Sequence, residues 1–171
     1  MAAVSEDTLT KVSTDAATDF VQSFYSALQS ARPTISSFYS QPSASILFNG
    51  NAVADGAAVQ DIFMNQMPST YYEVQSYDCQ VLNPSYPTAA GLQPDIQGRP
   101  RGGAAAARNM SILVLVSGYV RFGEGKESFD TPNRGFSETF VLVPNPQADG
   151  GFKGRGKKHW LIQSQNFRLV V

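Results

Sequence analysis

Ile112-Leu113-Val114-Leu115-Val116 is the stretch of sequence that decides the fold, because it is apolar at every position. Successive side chains of a β-strand point to opposite faces of a sheet, so this strand presents apolar side chains to both faces. A strand of this kind requires apolar cover above and below the sheet. The run therefore predicts a sheet with both faces in contact with other structure, which either the chain or a partner must supply.

The length and composition of the chain predict one intracellular domain. Its 171 residues are 42% hydrophobic, which suits a single well-buried core better than two. The single cysteine, Cys79, excludes an internal disulfide and a multi-cysteine metal cluster, as is typical of a reducing compartment. The first residues are acidic and polar, unlike a signal peptide, and no stretch has the roughly 18 to 20 apolar residues of a membrane span. We expect a soluble protein with no membrane contact, metal or other cofactor.

The net charge of -1 conceals an uneven distribution of charged residues. Residues 1–82 carry 2 basic and 8 acidic side chains, whereas residues 83–171 carry 11 basic and 6 acidic ones. Uneven charge arises by chance on solvated surfaces, but it also marks surfaces that contact nucleic acid or a charged partner. The sequence leaves both interpretations open, although most of the basic residues fall in predicted loops.

Helices are predicted in the first 66 residues. Ser5 is placed to cap the first helix, which has an acidic first turn and ends before Pro33. Its apolar residues recur at spacings of three and four over roughly six turns; they are Leu9, Val12, Ala16, Phe20, Phe24 and Leu28. A short second helix is predicted over residues 34–40 and a third over residues 55–66.

Strands are predicted over most of the remaining chain. A short strand at residues 45–48 is followed by Asn49-Gly50-Asn51, whose residues tolerate the positive φ of a turn. Four long strands are predicted over residues 70–82, 109–122, 134–143 and 158–171. Four strands make a sheet roughly 19 Å wide at about 4.8 Å per strand, and two helices of about 10 Å each cover one face of it.

The second face of this sheet is predicted to lack cover from the chain. Neither register of the long strands is cleanly polar, so the sequence does not decide which register faces the helices. In residues 134–143, for example, one register carries Ser137, Thr139, Val141 and Val143, and the other carries Phe136, Phe140 and Leu142. A surface of this kind is more typical of an interface, at roughly 800 Å² per partner, than of a monomer.

The order of these elements and several short motifs resemble the nuclear transport factor 2-like family. The motifs are Ser37-Phe38-Tyr39, Ser45-Ile46-Leu47-Phe48-Asn49-Gly50, Val53-Ala54-Asp55-Gly56, Ile62-Phe63, Met67-Pro68-Ser69-Thr70 and Tyr72-Glu73-Val74-Gln75-Ser76-Tyr77-Asp78-Cys79-Gln80. The resemblance covers the chain apart from its loops. Two closing segments, at residues 134–144 and 160–169, narrow the resemblance to the small subunits of the general mRNA export receptor. The lengths of the Pro-rich and Gly-rich loops resemble the fungal type.

The resemblance implies an α+β fold, in which three helices from the N-terminal half pack on one face of a strongly curved, mainly antiparallel sheet. The implied organisation is one domain over residues 1–171 with long flexible loops at about 83–108 and 145–158. The implied function is non-enzymatic: the chain pairs, sheet face to sheet face, with a related domain of the large receptor subunit. The pair carries ribonucleoprotein cargo by touching Phe-Gly repeats of nucleoporins, which implies the nucleus, the nuclear pore and shuttling to the cytoplasm.

The resemblance also implies partner-binding residues. In the family, an arginine in the final Phe-Arg-apolar segment pairs with a carboxylate of the large subunit, and Arg168 occupies that position here. Such a charge-assisted hydrogen bond contributes roughly 1.5 to 3 kcal/mol. A solvated side chain near a strand end is the alternative for Arg168. The residues expected to bind the partner are Arg168, Phe167, Phe140, Leu142 and Trp160.

Two glycine-rich loops carry basic residues that can contact RNA or a ribonucleoprotein particle. The basic residues are Arg99, Arg101 and Arg108 in the first loop and Lys153, Arg155, Lys157 and Lys158 in the second. A flexible basic loop can follow a phosphate backbone without reading the sequence of bases. A solvated spacer is the alternative for the first loop, and a charged tip that aids solubility is the alternative for the second.

Two rival functions remain open from the sequence. Enzymes of the same fold need a buried acid and base, and this chain offers one histidine, His159, together with a pairing of Asp78 with Tyr77 or Tyr25. His159 also fits a partly exposed strand residue, and Cys79 fits a small core residue without a histidine to activate it. We therefore expect no enzymatic activity. The other rival is a homodimeric transport factor that carries a small GTPase and uses the same sheet face.

Overall fold

The computed structural model describes residues 4–42, 44–86, 107–123, 132–148 and 158–170, in which helices precede most of a mixed sheet. The longest helix, α1, covers Glu6–Ser30, as its apolar periodicity predicts. Ser5 caps it, because the Ser5 hydroxyl accepts a hydrogen bond from the Thr8 amide at 3.3 Å. The predicted second helix is a 3₁₀ helix over Arg32–Phe38. Within the described ranges, no helix is both long and apolar enough to cross a membrane.

The predicted third helix begins as an α-helix and ends as a π-helical turn. The α-helical part, α2, covers Gly56–Asp61, and the π-helical turn covers Ile62–Gln66. Asp55 caps α2 by accepting a hydrogen bond from the Ala58 amide at 2.8 Å. The sequence predicts the element and its cap, but the wider turn at its end depends on contacts from elsewhere in the chain.

Arg32 supplies those contacts to the π-helical turn. Its guanidinium donates hydrogen bonds to the carbonyl oxygens of Phe63, Met67 and Pro68. It also lies 5.7 Å from the centre of the Phe63 ring. Carbonyl oxygens at a helix end require partners of this kind, so Arg32 holds the end of the turn against the 3₁₀ helix.

The sheet has six strands in the described residues, in the order β2-β1-β6-β5-β4-β3. The strands are β1 Ser45–Phe48, β2 Asn51–Val53, β3 Thr70–Asn83, β4 Ser111–Phe122, β5 Arg134–Pro144 and β6 Trp160–Leu169. All neighbouring strands are antiparallel except β1 and β6, which are parallel. The four long strands are confirmed close to their predicted bounds. The three residues of β2 are too short a segment to show a strand pattern in the sequence.

The packing of α1 against the sheet decides which side chains of β4 are buried. Ile112 and Val114 are 0% exposed and Val116 is 2% exposed, so these side chains form the inner face beneath the helices. Leu115 points to the other face and is 44% exposed. The helices of the chain therefore cover one face of the apolar run Ile112–Val116. The other face, which carries Leu115, is not covered by the described residues.

Aromatic side chains join α1 to the inner face of the sheet. The ring centroid of Phe140 on β5 lies 4.9 Å from that of Phe20 and 5.3 Å from that of Phe24, both on α1. Phe24 also packs edge-to-face on Phe38 of the 3₁₀ helix, at 5.3 Å. Edge-to-face pairs of buried rings add roughly 0.5 to 1.5 kcal/mol each beyond the area that they bury.

A bulge in β3 requires a glycine in the neighbouring strand. The register between β3 and β4 shifts between Val74 and Ser76, opposite Gly118. A Cβ atom at position 118 would lie 2.1 Å from the carbonyl oxygen of Glu73. Only glycine allows the two backbones to approach this closely, so Gly118 sets where the edge strand bends.

The segment between β3 and β4 covers residues 84–110, close to the predicted loop at 83–108. Asn83 still belongs to β3, and the Tyr86 amide donates a hydrogen bond to the Asn109 carbonyl oxygen at 2.8 Å. Ala107 is 0% exposed and forms part of the core, although the sequence predicts a spacer there. A small apolar residue in an alanine-rich stretch carries no signal of burial, which explains the error. The rest of this loop and residues 149–157 of the second loop lie outside the described residues.

Candidate partner-binding face

The face of the sheet opposite α1, which we call the outer face, carries rows of side chains from neighbouring strands. The strand registers place Asp78, Leu115, Thr139, Asn166 and Leu47 in one row. They place Gln80, Leu113, Val141, Ser164 and Ser45 in the next row, and Ser76, Ser117, Ser137 and Arg168 in the row on the other side. The outer face thus mixes branched apolar residues with short polar ones.

Short polar side chains occupy part of the outer face. The hydroxyls of Ser76 and Ser117 are hydrogen-bonded to each other across β3 and β4 at 2.7 Å, which satisfies both groups close to the sheet. The side chain of Leu115 lies in the neighbouring row and is 44% exposed. A sheet face that carries short and exposed apolar side chains allows a second sheet to pack against it, and exposed apolar patches are typical of interfaces.

Aromatic residues lie at one end of the outer face. Tyr71 is 52% exposed and Tyr119 is 45% exposed. The guanidinium carbon of Arg121 lies 4.8 Å from the centre of the Tyr71 ring, which orders both side chains. Tyrosine and arginine are enriched in protein interfaces. This end of the face therefore supplies anchor side chains that the sequence analysis did not identify.

Arg168 lies on the outer face of the sheet. It is exposed and stands opposite Ser137 of β5. Two residues before it, the Oδ1 atom of Asn166 is buried and has no hydrogen-bond partner. A buried acceptor without a donor costs roughly 1 to 3 kcal/mol, so the outer face contains an unsatisfied polar atom near the exposed side chain of Arg168.

Three of the predicted partner-binding residues lie on the inner face instead. Phe140 and Leu142 are 0% exposed, and Phe167 is 7% exposed with its ring packed 5.7 Å from that of Phe136. These side chains fill the core of the chain, so their burial does not favour contact with a partner, and that contact stays a prediction. Neither register of β5 is cleanly polar, so the sequence alone does not decide which face of β5 lies beneath the helix.

Trp160 also lies on the helix side, half-buried at the beginning of β6. Arg108 and Lys158 are brought near it, and both line a groove beside α1. The Lys158 ammonium lies 4.0 Å above the Phe38 ring and donates a hydrogen bond to Ser37 Oγ at 3.0 Å. The remaining basic residues predicted to contact RNA lie outside the described residues; they are Arg99, Arg101, Lys153, Arg155 and Lys157.

A buried acid that the sequence analysis missed lies in the core. Glu138 on β5 is 1% exposed and accepts hydrogen bonds from Tyr25 Oη at 2.5 Å and from Gln165 Nε2 at 2.6 Å. Tyr39 Oη donates to Gln165 Oε1 at 2.6 Å. Desolvation raises the pKa of Glu138 to about 7, and the hydrogen bonds from Gln165 and Tyr25 oppose that shift. Glu138 lies between Phe136 and Phe140 in the same register of β5. Its position among these apolar residues is the sequence signal that could have indicated its burial.

The acid and base groups proposed for an enzyme do not come together. Asp78 is exposed on the outer face, whereas Tyr25 lies in the core, so they form no pair. His159 is exposed at the edge of the groove beside α1. Glu138 is not among the residues that line the two cavities described for the chain. Among the described residues, no group of three or more His, Cys, Asp or Glu side chains is placed to hold a metal ion.

These features define the class of the protein as an α+β domain whose mixed sheet is covered by helices on one face. A sequence profile of the nuclear transport factor 2 (NTF2) domain matches residues 16–156. The chain therefore belongs to the NTF2 family, and the family predicted from its motifs is confirmed.

Known proteins similar to this chain include a curated export protein and solved structures of Mtr2 and of the Mex67 NTF2-like domain with Mtr2. NTF2-related export protein 1 of Bos taurus is 26% identical over 169 residues, which are 99% of this chain and 96% of the bovine protein. The solved structure titled "Structure of Mtr2" is 25% identical with a TM-score of 0.71, over 93% of this chain and 99% of that one. A chain of the "Chaetomium thermophilum Mex67 NTF2-like domain complexed with Mtr2" is 23% identical with a TM-score of 0.73, over the same shares.

Proposed function

We propose that the protein is the non-enzymatic small subunit of a heterodimeric mRNA export receptor and that it binds a related domain of the large subunit through its outer face. The observation that carries the proposal is the exposure of Leu115 and Tyr119 on the sheet face opposite the helices. The similarity to an NTF2-related export protein and to chains of the Mex67–Mtr2 complex supports it.

The composition of the outer face fits pairing between two sheets. Its middle consists of short side chains and branched apolar residues, which another sheet can approach at the usual spacing of about 10 Å. Tyr71, Tyr119 and Arg121 would anchor one end of the interface. Arg168 would pair with a carboxylate of the large subunit, and a donor from the same subunit would satisfy Asn166 Oδ1 after a small rotation of the amide.

The wider role follows from the same proposal. As part of the receptor, the protein would reside in the nucleus and at the nuclear pore, shuttle to the cytoplasm and carry ribonucleoprotein cargo past Phe-Gly nucleoporins. Contact with RNA through the predicted basic residues is part of this proposal. Lys158 is the weakest candidate among them, since its ammonium already lies against Phe38 and Ser37.

Co-expression tests the pairing directly. The chain would be produced alone and together with the NTF2-like domain of Mex67 from its own organism, and light scattering after gel filtration would give the mass of each species. We expect a one-to-one heterodimer on co-expression and poor solubility or a monomer for the chain alone. A stable homodimer that does not exchange with the Mex67 domain would contradict the proposal and favour the homodimeric carrier of a small GTPase.

A further inference from the structure

Asn166 carries a hydrogen-bond acceptor that the described part of the chain does not satisfy. Its Oδ1 atom is buried and has no hydrogen-bond partner, although the side chain as a whole is only half-buried. Its direct neighbours on the adjacent strands are Thr139 of β5 and Leu47 of β1. Because β6 is paired on both sides, its backbone donors serve the two strand ladders. A donor for Oδ1 must therefore come from outside these elements.

A group with the opposite requirement lies beside it on the same face. Arg168 follows Asn166 by two residues, is exposed, and stands opposite Ser137. Two residues of a strand span roughly 7 Å. A guanidinium only donates hydrogen bonds, so Arg168 requires an acceptor, whereas Asn166 Oδ1 requires a donor.

The order of these two groups along β6 distinguishes one alignment of a covering sheet from others. In one alignment, a donor of the covering sheet lies on Asn166 and a carboxylate lies on Arg168. An alignment that exchanges the two places an acceptor on an acceptor and a cation on a cation, and both contacts are unfavourable. The short polar and branched apolar side chains around them tolerate many alignments. Asn166 and Arg168 together can therefore fix the register of the pairing.

The donor that reaches Asn166 must belong to a long side chain. Two packed sheets lie about 10 Å apart. A serine or threonine hydroxyl stays close to its own sheet, as the hydrogen-bonded hydroxyls of Ser76 and Ser117 do here. Arginine, lysine and glutamine carry donors at the end of a chain long enough to cross the gap.

We propose that Asn166 determines which partner domain the outer face accepts, by accepting a hydrogen bond from an arginine, lysine or glutamine of that domain, roughly 7 Å from the carboxylate that binds Arg168. The inference rests on the proposed function and adds to it the register of the pairing and a donor on the partner. A single polar residue in an apolar interface can specify register at a cost in stability. The free chain bears that cost, and the correct partner removes it.

Asn166→Leu should therefore change stability and affinity in opposite directions. Removal of the unsatisfied acceptor should raise the urea midpoint of the isolated chain. The partner's donor then loses its acceptor, so the affinity for the Mex67 domain should fall roughly fivefold to a hundredfold in titration calorimetry. A merely structural role of Asn166 would not lower affinity while stability rises. If the isolated chain is poorly soluble, competition between tagged variants for a limiting amount of Mex67 domain on co-expression gives the relative affinities.

Two further variants define the chemistry of the contact. Asn166→Asp keeps the acceptor and loses the amide donor, so its affinity should stay within several-fold of the wild type. Asn65→Leu is the matched control, because it makes the same replacement at an exposed position of the π-helical turn and should leave affinity unchanged.

The register is tested by exchanging the two residues. The double variant Asn166→Arg/Arg168→Asn keeps the composition of the outer face and reverses the order of donor and acceptor. It should bind the Mex67 domain at least tenfold more weakly, and circular dichroism would verify its fold.

The donor is found by replacing each arginine, lysine and glutamine on the sheet of the Mex67 domain with methionine. One replacement should weaken binding of the wild type at least fivefold and have no further effect on Asn166→Leu.

The outcomes separate this inference from the proposed function. If the wild type binds and Leu115→Glu does not, while Asn166→Leu binds as tightly as the wild type, the sheet pairing stands and the role of Asn166 is wrong. Wild-type affinity of the exchanged variant would likewise show that the order of the two groups does not set the register. If the wild-type chain does not bind the Mex67 domain at all, both proposals are overturned.

Discussion

Tyr25 of α1 donates a hydrogen bond to the carboxylate of Glu138 on β5, with 2.5 Å between the phenol oxygen and Oε2. The bond connects the longest helix to the centre of the sheet, inside a core that excludes water from both groups. Burial raises the pKa of the Tyr25 phenol well above its ordinary value, and the neighbouring Glu138 raises it further. The phenol therefore stays protonated and serves as a permanent donor to Glu138.

Glu138 should make the stability of the protein depend on pH. Its pKa rises from 4.5 in the unfolded chain to about 7 in the folded one, so the folded state binds more protons between these values. The free energy of unfolding should therefore fall as the pH rises from about 4.5 to 7 and become independent of Glu138 above that range. Urea titrations at several pH values would measure the slope.

A glutamine at this position tests whether Glu138 is the cause. Glu138→Gln should remove most of the slope, since the amide does not titrate, while Glu73→Gln at an exposed site should retain it. Tyr25, Tyr39 and Tyr72 all have raised pKa values and so do not titrate in this range. Equal slopes for the wild type and Glu138→Gln would show that another group is responsible.

Leu115 and Val114 provide a matched pair of substitutions on the two faces of β4. Leu115→Glu places a charge on the exposed outer face, so it should change the stability of the isolated chain by less than about 0.5 kcal/mol. It should weaken binding of the Mex67 domain at least tenfold. Val114→Glu places the same charge in the core, where Val114 is 0% exposed, and should prevent folding.

Thermal melts and pull-down with the Mex67 domain would separate these effects. A Leu115→Glu variant that binds as tightly as the wild type would show that the outer face is not the interface.

Arg168 should contribute to the affinity for the large subunit through the planar geometry of its guanidinium as well as through its charge. Arg168→Glu should weaken pairing by roughly tenfold to a hundredfold, which corresponds to the loss of about 1.5 to 3 kcal/mol from a charge-assisted bond. Arg168→Lys should have an intermediate effect, because lysine keeps the charge and loses the bidentate geometry. Titration calorimetry of the purified partners would give both affinities. Unchanged affinity of the glutamate variant would mean that Arg168 is solvated in the complex.

Gly118 should resist substitution far more strongly than Gly135 in the next strand. A Cβ atom at Gly118 would lie 2.1 Å from the Glu73 carbonyl oxygen, so Gly118→Ala should destabilise the protein by about 1 to 3 kcal/mol or more. A Cβ atom at Gly135 would lie 3.4 Å from Val170 Cβ, so Gly135→Ala should be nearly neutral. Chemical denaturation would give the free energy of unfolding of both variants. Equal values would show that the bulge in β3 does not require a glycine at position 118.

Most of the fold could be predicted from local patterns. The apolar spacing along Glu6–Ser30, the cap at Ser5 and the long apolar strands all reflect interactions within a few residues. The π-helical turn could not be predicted, because Arg32 reaches it from more than 30 positions away in the chain. The buried face of β5 could not be predicted for a similar reason: Phe140 and Leu142 are apolar residues of a strand whose two faces look alike in sequence.

The sequence by itself determined the family, the order of helices and strands, and the presence of more apolar sheet surface than the helices can cover. These properties depend on side-chain periodicity and on motifs, which are local. The tertiary structure alone decided that Ile112, Val114 and Val116 lie beneath α1 while Leu115 faces outward, and that Glu138 is enclosed among tyrosines. It also brought the beginning of β6 beside α1 to form a groove. Each of these outcomes depends on which face of the sheet the helix packs against, and that choice is made between residues far apart in the chain.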